Sequence, residues 1–357
     1  MSVLLRYFGR EIIGATALVL FAFLGLFAFF DFINELEDVG KDGYQLYQAA
    51  VYVALIQPGR MYELLPIAVL IGSLYALASL AKHSEITVMR TSGLTNLALM
   101  RMLGLIGAGF VVLTFVFGEY VAPPAESAAQ QWKLNATNDT VSQQLRSGLW
   151  VKDGKLVINV RAMLPDRSMR QARVYEFGDE YDLRSISEAQ RGIYSGDGQW
   201  RLQEVVRTRF LDDRTEVDVL PEIVWRSDLT PEVLGVLMVG PERMPVNQLW
   251  TYISHLRENH QNADRFEIAL WKKLIYPLAV LVMMALALPF GLIHGRMGAA
   301  SARVFVGVML GVAFHLLNGL FSSLGMINGW PPVLAALTPS LIFLAAAGVM
   351  LYYVERR

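Results

Sequence analysis

Six apolar stretches of about twenty residues govern what this chain can fold into, because each matches the roughly 30 Å hydrocarbon layer of a bilayer. They are Ile12–Phe30, Tyr62–Ala81, Leu97–Val121, Ile275–Ile293, Val304–Leu324 and Val333–Tyr353. Of the 63 charged side chains in 357 residues, 40 fall between positions 122 and 268. The flanking stretches hold too little charge to cover a globular surface in water. A fully soluble protein and a disordered chain are thereby excluded. So is a basic nucleic-acid binder, since the net charge is −1. Cysteine is absent, which removes disulfides, thiolate metal sites and a cysteine nucleophile. Ile12–Phe30 is longer than a signal-peptide core and ends in bulky Phe, so it is predicted to be retained.

Lysine and arginine in short loops set the orientation of such a chain. Arg6, Arg10, Lys82, Arg90, Arg101, Arg296, Arg303, Arg356 and Arg357 lie on one side, against Lys41 and Arg60 on the other. Both termini are therefore predicted to be cytoplasmic, with residues 122–268 facing outward. Lys272 and Lys273, at the outer start of the fourth span, break this pattern.

From Gly148 to Trp225 the pattern switches to period two, the mark of half-buried strands. Residues 156–160, 172–177, 192–194, 200–206 and 216–220 fit, and Asp197-Gly198 reads as a hairpin turn. Val246–Asn259 has helical spacing and is predicted as a return helix. The expected fold is membrane α-helical, with six transmembrane helices and an inserted all-β domain of jelly-roll or open-sandwich type. Its blocks are 1–121, 122–268 and 269–357.

Catalytic signatures are missing. The chain has no phosphate loop, no H-E-x-x-H, no G-x-S-x-G and no dinucleotide fingerprint. His255 and His260 are five apart, which does not align two metal ligands on one helical face, so both read as solvated helix residues. The acidic pairs Asp179/Glu180 and Asp212/Asp213 read as turn and edge residues.

The loop between the second and third spans carries more information. Ser84 is a suitable N-cap, Glu85 in the first turn favours the helix dipole, and Gly93 can end the helix. Ile86, Met89 and Arg90 share one face, so Ser84–Gly93, with Val88 among its residues, reads either as a plain connector or as a helix docking into a cytoplasmic partner. Within the spans, Gly307-x-x-x-Gly311 and Gly291-x-x-x-Gly295 permit close helix approach. His315 in the fifth span should face protein or water, with a hydrogen bond to a neighbouring helix preferred over a proton relay. Asp31, Glu35, Glu37, Asp38 and Asp42 make the outer end of the first span acidic. Lys41, Arg60, Lys272 and Lys273 are cations near that interface, able to anchor at headgroups or to pair with an anionic lipid.

Six spans around one outward β domain, together with Ser84-Glu85-Ile86-Thr87-Val88-Met89-Arg90-Thr91-Ser92-Gly93, resemble the lipopolysaccharide export permeases, the LptF/LptG family. Gly118-Glu119-Tyr120-Val121-Ala122-Pro123, Gly148-Leu149-Trp150-Val151-Lys152-Asp153-Gly154 and Leu229-Thr230-Pro231-Glu232-Val233-Leu234-Gly235-Val236 are closer to its LptG branch. The resemblance implies a non-catalytic half-permease in a Gram-negative inner membrane, paired with an LptF-like half. A dimeric LptB-like ATPase would hold ATP and Mg, leaving no cofactor on this chain, and an LptC-like protein would continue the path. It further implies lipopolysaccharide extraction through a cavity lined by the first and fifth spans, then transfer to a periplasmic bridge of β-jelly-roll domains. Ser84–Gly93 would enter the ATPase groove, with Glu85 as the charged contact and Met89 and Arg90 filling the groove. Gly307 and Gly311 would lie on a helix opening against the partner's first span. Lys41, Arg60, Lys272 and Lys273 are the candidate headgroup contacts, where family members often carry lysines instead of Asp31, Glu35, Glu37 and Asp38. The alternatives are an envelope-assembly scaffold, against which the loop helix and His315 count, and an anchored hydrolase or transferase, for which no nucleophile–base pair is legible.

Overall fold

The computed structural model describes residues 2–41, 43–93, 95–137, 148–163, 168–178, 182–196, 198–211, 213–227, 230–231, 234, 240–259, 261–292 and 300–355. Asp42, Asp179, Glu180, Asp197, Asp212, His260, His294, Gly295, Arg296, Arg356, Arg357 and most of 229–236 lie outside the described residues. Two compact units are present. One comprises 1–35, 53–126 and 264–357, and the other 36–52 with 127–263. The expected boundaries near 121 and 268 thus shift by a few residues, and 36–52 joins the β unit.

Among the described residues, six helices are long and apolar enough to cross a membrane. They are α1 (Ser2–Leu36), α2 (Leu46–Lys82), α4 (Asn96–Val116), α7 (Asp264–Leu292), α8 (Ala300–Asn328) and α9 (Pro332–Glu355). A short α3 (Glu85–Thr91) joins α2 to α4. At 1.5 Å per residue the 35-residue α1 is about 52 Å long, well beyond a hydrocarbon layer. The expected spans marked only the charge-free middles.

Small residues set the packing, as they must where lipid offers no hydrophobic drive between helices. A Cβ on Gly72 of α2 would meet the Thr16 backbone of α1 at 2.6 Å, and one on Gly107 of α4 would meet Leu281 of α7 at 2.6 Å. α2 is the central helix, with 78% of its apolar window buried, against 17% for α1 and 22% for α8. Where the third span was expected to end at Val121, the helix widens into a π-turn, Phe117–Val121, and continues as α5 (Ala122–Thr137). Gly118 in that turn lies against the Tyr62 ring, with no room for a side chain.

In the β unit six strands form one antiparallel sheet in sequence order. They are β1 (Leu149–Asp153), β2 (Leu156–Met163), β3 (Met169–Phe177), β4 (Leu183–Gly196), β5 (Gln199–Phe210) and β6 (Thr215–Arg226). The described strands are therefore a meander, with no Greek-key crossover among them. Its buried face runs through the registered residues Val160, Ala172, Ala189 and Val205 and ends on the half-buried Leu220. At the β4–β5 hairpin Gly198 takes φ +69, as a tight turn requires.

In the same unit α6 (Val246–Glu258) buries Leu249, Tyr252, Ile253 and Leu256. His255 is a correction to the solvated reading. It is buried at 7% exposure and stacked on Tyr252, because it falls on the apolar stripe of α6. Burial pushes the Tyr252 hydroxyl up to about 12.

Candidate functional site

Helix α3 hangs between two tight turns. At its start Ser84 donates its N–H to the Ala81 carbonyl (3.1 Å) and adopts φ +61. That left-handed geometry closes α2, whereas an N-cap would be extended. The N-cap expectation is thus corrected in geometry, although the Ser84 carbonyl still accepts the first bond of α3, from Val88 N–H at 3.0 Å. At its end Gly93 takes φ +99, and Thr95 caps α4 by accepting from Ala98 N–H. With seven residues, α3 is too short to hold itself, so its orientation comes from packing.

Ile86 supplies that packing. It is 2% exposed in the same core as Phe8 and Ile12 of α1 and Leu99 and Met102 of α4. Met89, expected to fill a partner's groove, is half-buried and packs against this core. Val88, at 62% exposure, is the apolar side chain turned outward, with Thr87 and Thr91 exposed beside it. Glu85 is half-buried and accepts a 2.7 Å hydrogen bond from the Tyr7 hydroxyl of α1. The Arg90 side chain lies outside the described ones. Tyr7 had no signal in the sequence beyond its place one turn before the first apolar run.

The fifth-span glycines serve this chain's own bundle. A Cβ on Gly307 would lie 2.6 Å from Leu74, and one on Gly311 2.6 Å from Ile67, both on α2. The close approach expected of this glycine pair is thus made to α2 of the same chain. Within its own chain His315 is exposed, on the side of α8 that carries Val312 and Leu316.

The expected headgroup cations are engaged within the chain. Lys41 pairs with Asp38 at 3.1 Å. Arg60 grips Asp31 through Nη2 (2.7 Å) and Nε (3.0 Å), reaches Glu63 at 3.2 Å, and lies 5.6 Å from the Phe27 ring. Lys273 is 9% exposed, with Nζ 3.8 Å from Glu119, in a cleft also lined by Tyr62, Phe115, Gly118 and Pro277. Lys272 is half-buried. Arg60 and Lys273 thus tie helices of the first unit together.

Lys133 went unnoticed in the sequence. It bonds Asp38 at 3.0 Å and lies 5.1 Å and 6.0 Å from the Tyr52 and Tyr44 rings. Hydrogen bonds from Lys133 and then Lys41 hold the Asp38 carboxyl below its ordinary range. Trp132 Nε1–H donates to the Gln48 carbonyl beside it, and these bonds draw 36–52 into the β unit.

The profile of the lipopolysaccharide export system permease LptF/LptG family matches residues 6–353. The chain belongs to that family. A similar protein is the lipopolysaccharide export system permease protein LptG of Haemophilus influenzae, 31% identical over 353 residues, which covers 99% of this chain and 98% of that protein. The protein of the same name from Escherichia coli K12 is 29% identical over 345 residues, 96% of each chain. Six membrane-capable helices and membership of the LptF/LptG family make this chain a transmembrane permease component of lipopolysaccharide transport.

Proposed function

We propose that this LptF/LptG-family chain is one of two half-permeases in an ATP-driven exporter of the Gram-negative inner membrane. Both termini are cytoplasmic, and the six-stranded sheet is periplasmic. The companion half is LptF-like, and ATP and Mg are held by a dimeric LptB-like ATPase. An LptC-like anchored protein receives lipid next. The observation that carries this reading is a family match over nearly the whole chain, joined to a helix too short to stand alone that is anchored by Ile86 and turns Val88 outward.

In this reading Glu85 is the charged contact to the ATPase groove, with Val88, Met89 and Arg90 around it. Force on α3 passes through Ile86 into the core shared by α1 and α4. The two spans that their own chain covers least, α1 and α8, line the lipid cavity with the companion half. Edge strands β1 and β6 leave the sheet open to join a jelly-roll bridge. The chain performs no covalent chemistry in this scheme; it binds and moves a lipid.

The test is Glu85→Lys in the purified complex. Reversing the charge is expected to leave a complex that still assembles, at least weakly, and hydrolyses ATP, while lipopolysaccharide export falls. Unchanged export by that variant sinks the assignment.

A further inference from the structure

Helix α1 is thinly covered by its own chain, yet a polar contact ties it to another element near each end. Near its start the Tyr7 hydroxyl donates to Glu85 Oε2 at 2.7 Å. Near its end Asp31 receives both Nε and Nη2 of Arg60 from α2. These ties lie about 36 Å apart along the helix, at 1.5 Å per residue. Between them Leu18, Phe21 and Leu26 are exposed. The opposite face is packed through Ile12, Thr16 and Leu20, so α1 moves as one rigid helix, and the point where α3 can act on it is its start.

The Tyr7 tie is placed to be that point. Its ring stands edge-on to Phe8 at 6.4 Å, and Phe8 shares the core that seats Ile86. A carboxylate has about four acceptor positions. Glu85 therefore accepts from Tyr7 and still offers an oxygen to a cation outside the chain. One group then bonds α1 on one side and a docking partner on the other.

We propose, resting on the coupling role of α3, that Tyr7 is a positioning residue for transport: its hydroxyl passes the displacement of Glu85 to the start of the first span. Phenylalanine at position 7 keeps the ring packing and loses only the bond to Glu85.

The test uses the whole complex, this chain with its companion permease and ATPase, in phosphatidylethanolamine/phosphatidylglycerol vesicles containing radiolabelled lipopolysaccharide. Lipid exported per ATP hydrolysed is the readout, beside co-purification and melting temperature. Tyr7→Phe is expected to assemble and melt like the parent while that ratio falls roughly three- to tenfold, the net scale of one ordinary intramolecular hydrogen bond. Glu85→Ala, which also removes the partner contact, should lower the ratio at least as far, and adding Tyr7→Phe to it should lower the ratio no further. A parental ratio for Tyr7→Phe, while Glu85→Lys lowers it, overturns the proposal and leaves the coupling role of α3 standing. Parental ratios for both variants overturn the two together. A lower melting temperature with an unchanged ratio reduces Tyr7 to packing and also overturns it.

Discussion

Lys273 and Glu119 illustrate how much one residue's setting alters its meaning. Two lysines at the outer start of the fourth span contradict the loop-charge pattern, and from sequence they read as headgroup ligands. In the fold Lys273 is buried against Glu119, and the reason was partly legible: an acid closing span three and a base opening span four lie at one depth. What hid the pair was the π-turn, which aims Glu119 inward and carries no sequence mark of its own. Removing one member of a buried pair strands the other charge. Lys273→Met should therefore lower stability by about 3–5 kcal/mol, and Lys273→Met/Glu119→Gln should restore most of it. Thermal unfolding of the detergent-solubilised chain checks both, and equal losses would refute the pairing.

Asp38 makes a pH-dependent case. Its folded carboxyl is held low, so the stability it contributes is complete above the unfolded value of about 3.9 and is lost as pH falls through the lower folded value. Hydrogen exchange over 36–52 should accelerate below pH about 4 in the parent. Lys133→Met should flatten that response. With side chains 42% and 27% exposed, the effect is modest.

At the scale of elements, spans were legible because freedom from charge over twenty residues has one physical reading. Their ends were not, because helices run on past the lipid until a turn stops them. β4 shows the opposite failure. Only 192–194 stood out of a 14-residue strand, since its buried positions are Ser185, Ser187, Ala189 and Gly192, small residues that break the apolar alternation. Small residues also decide how α8 seats. Gly311→Val should cost about 1–3 kcal/mol by forcing Ile67 aside. Gly319→Ala, on the same helix with nothing within 4 Å, should leave the chain's melting temperature unchanged. Equal effects at the two positions would mean that α8 does not pack on α2 through this face.

For the whole molecule, the unevenness of burial is the informative quantity. Phe305, Met309, Val312, Leu316 and Leu320 make an exposed stripe along α8 that lipid tolerates. His315 beside it is another matter, because an ionisable group in hydrocarbon is costly and faces protein or water. Its own chain leaves it exposed, so in the half-permease reading it borders the cavity shared with the companion half. The chain has no native cysteine, which makes this directly measurable. In the assembled complex His315→Cys should react with a small hydrophilic methanethiosulfonate, because a thiolate forms only where water reaches. Leu344→Cys, exposed on α9 within an apolar run, should stay unmodified in the same membranes. Equal silence at both positions would place His315 against a partner helix, and equal labelling would mean that the sixth span also lines water. Only labelling confined to position 315 fits a cavity with α8 in its wall.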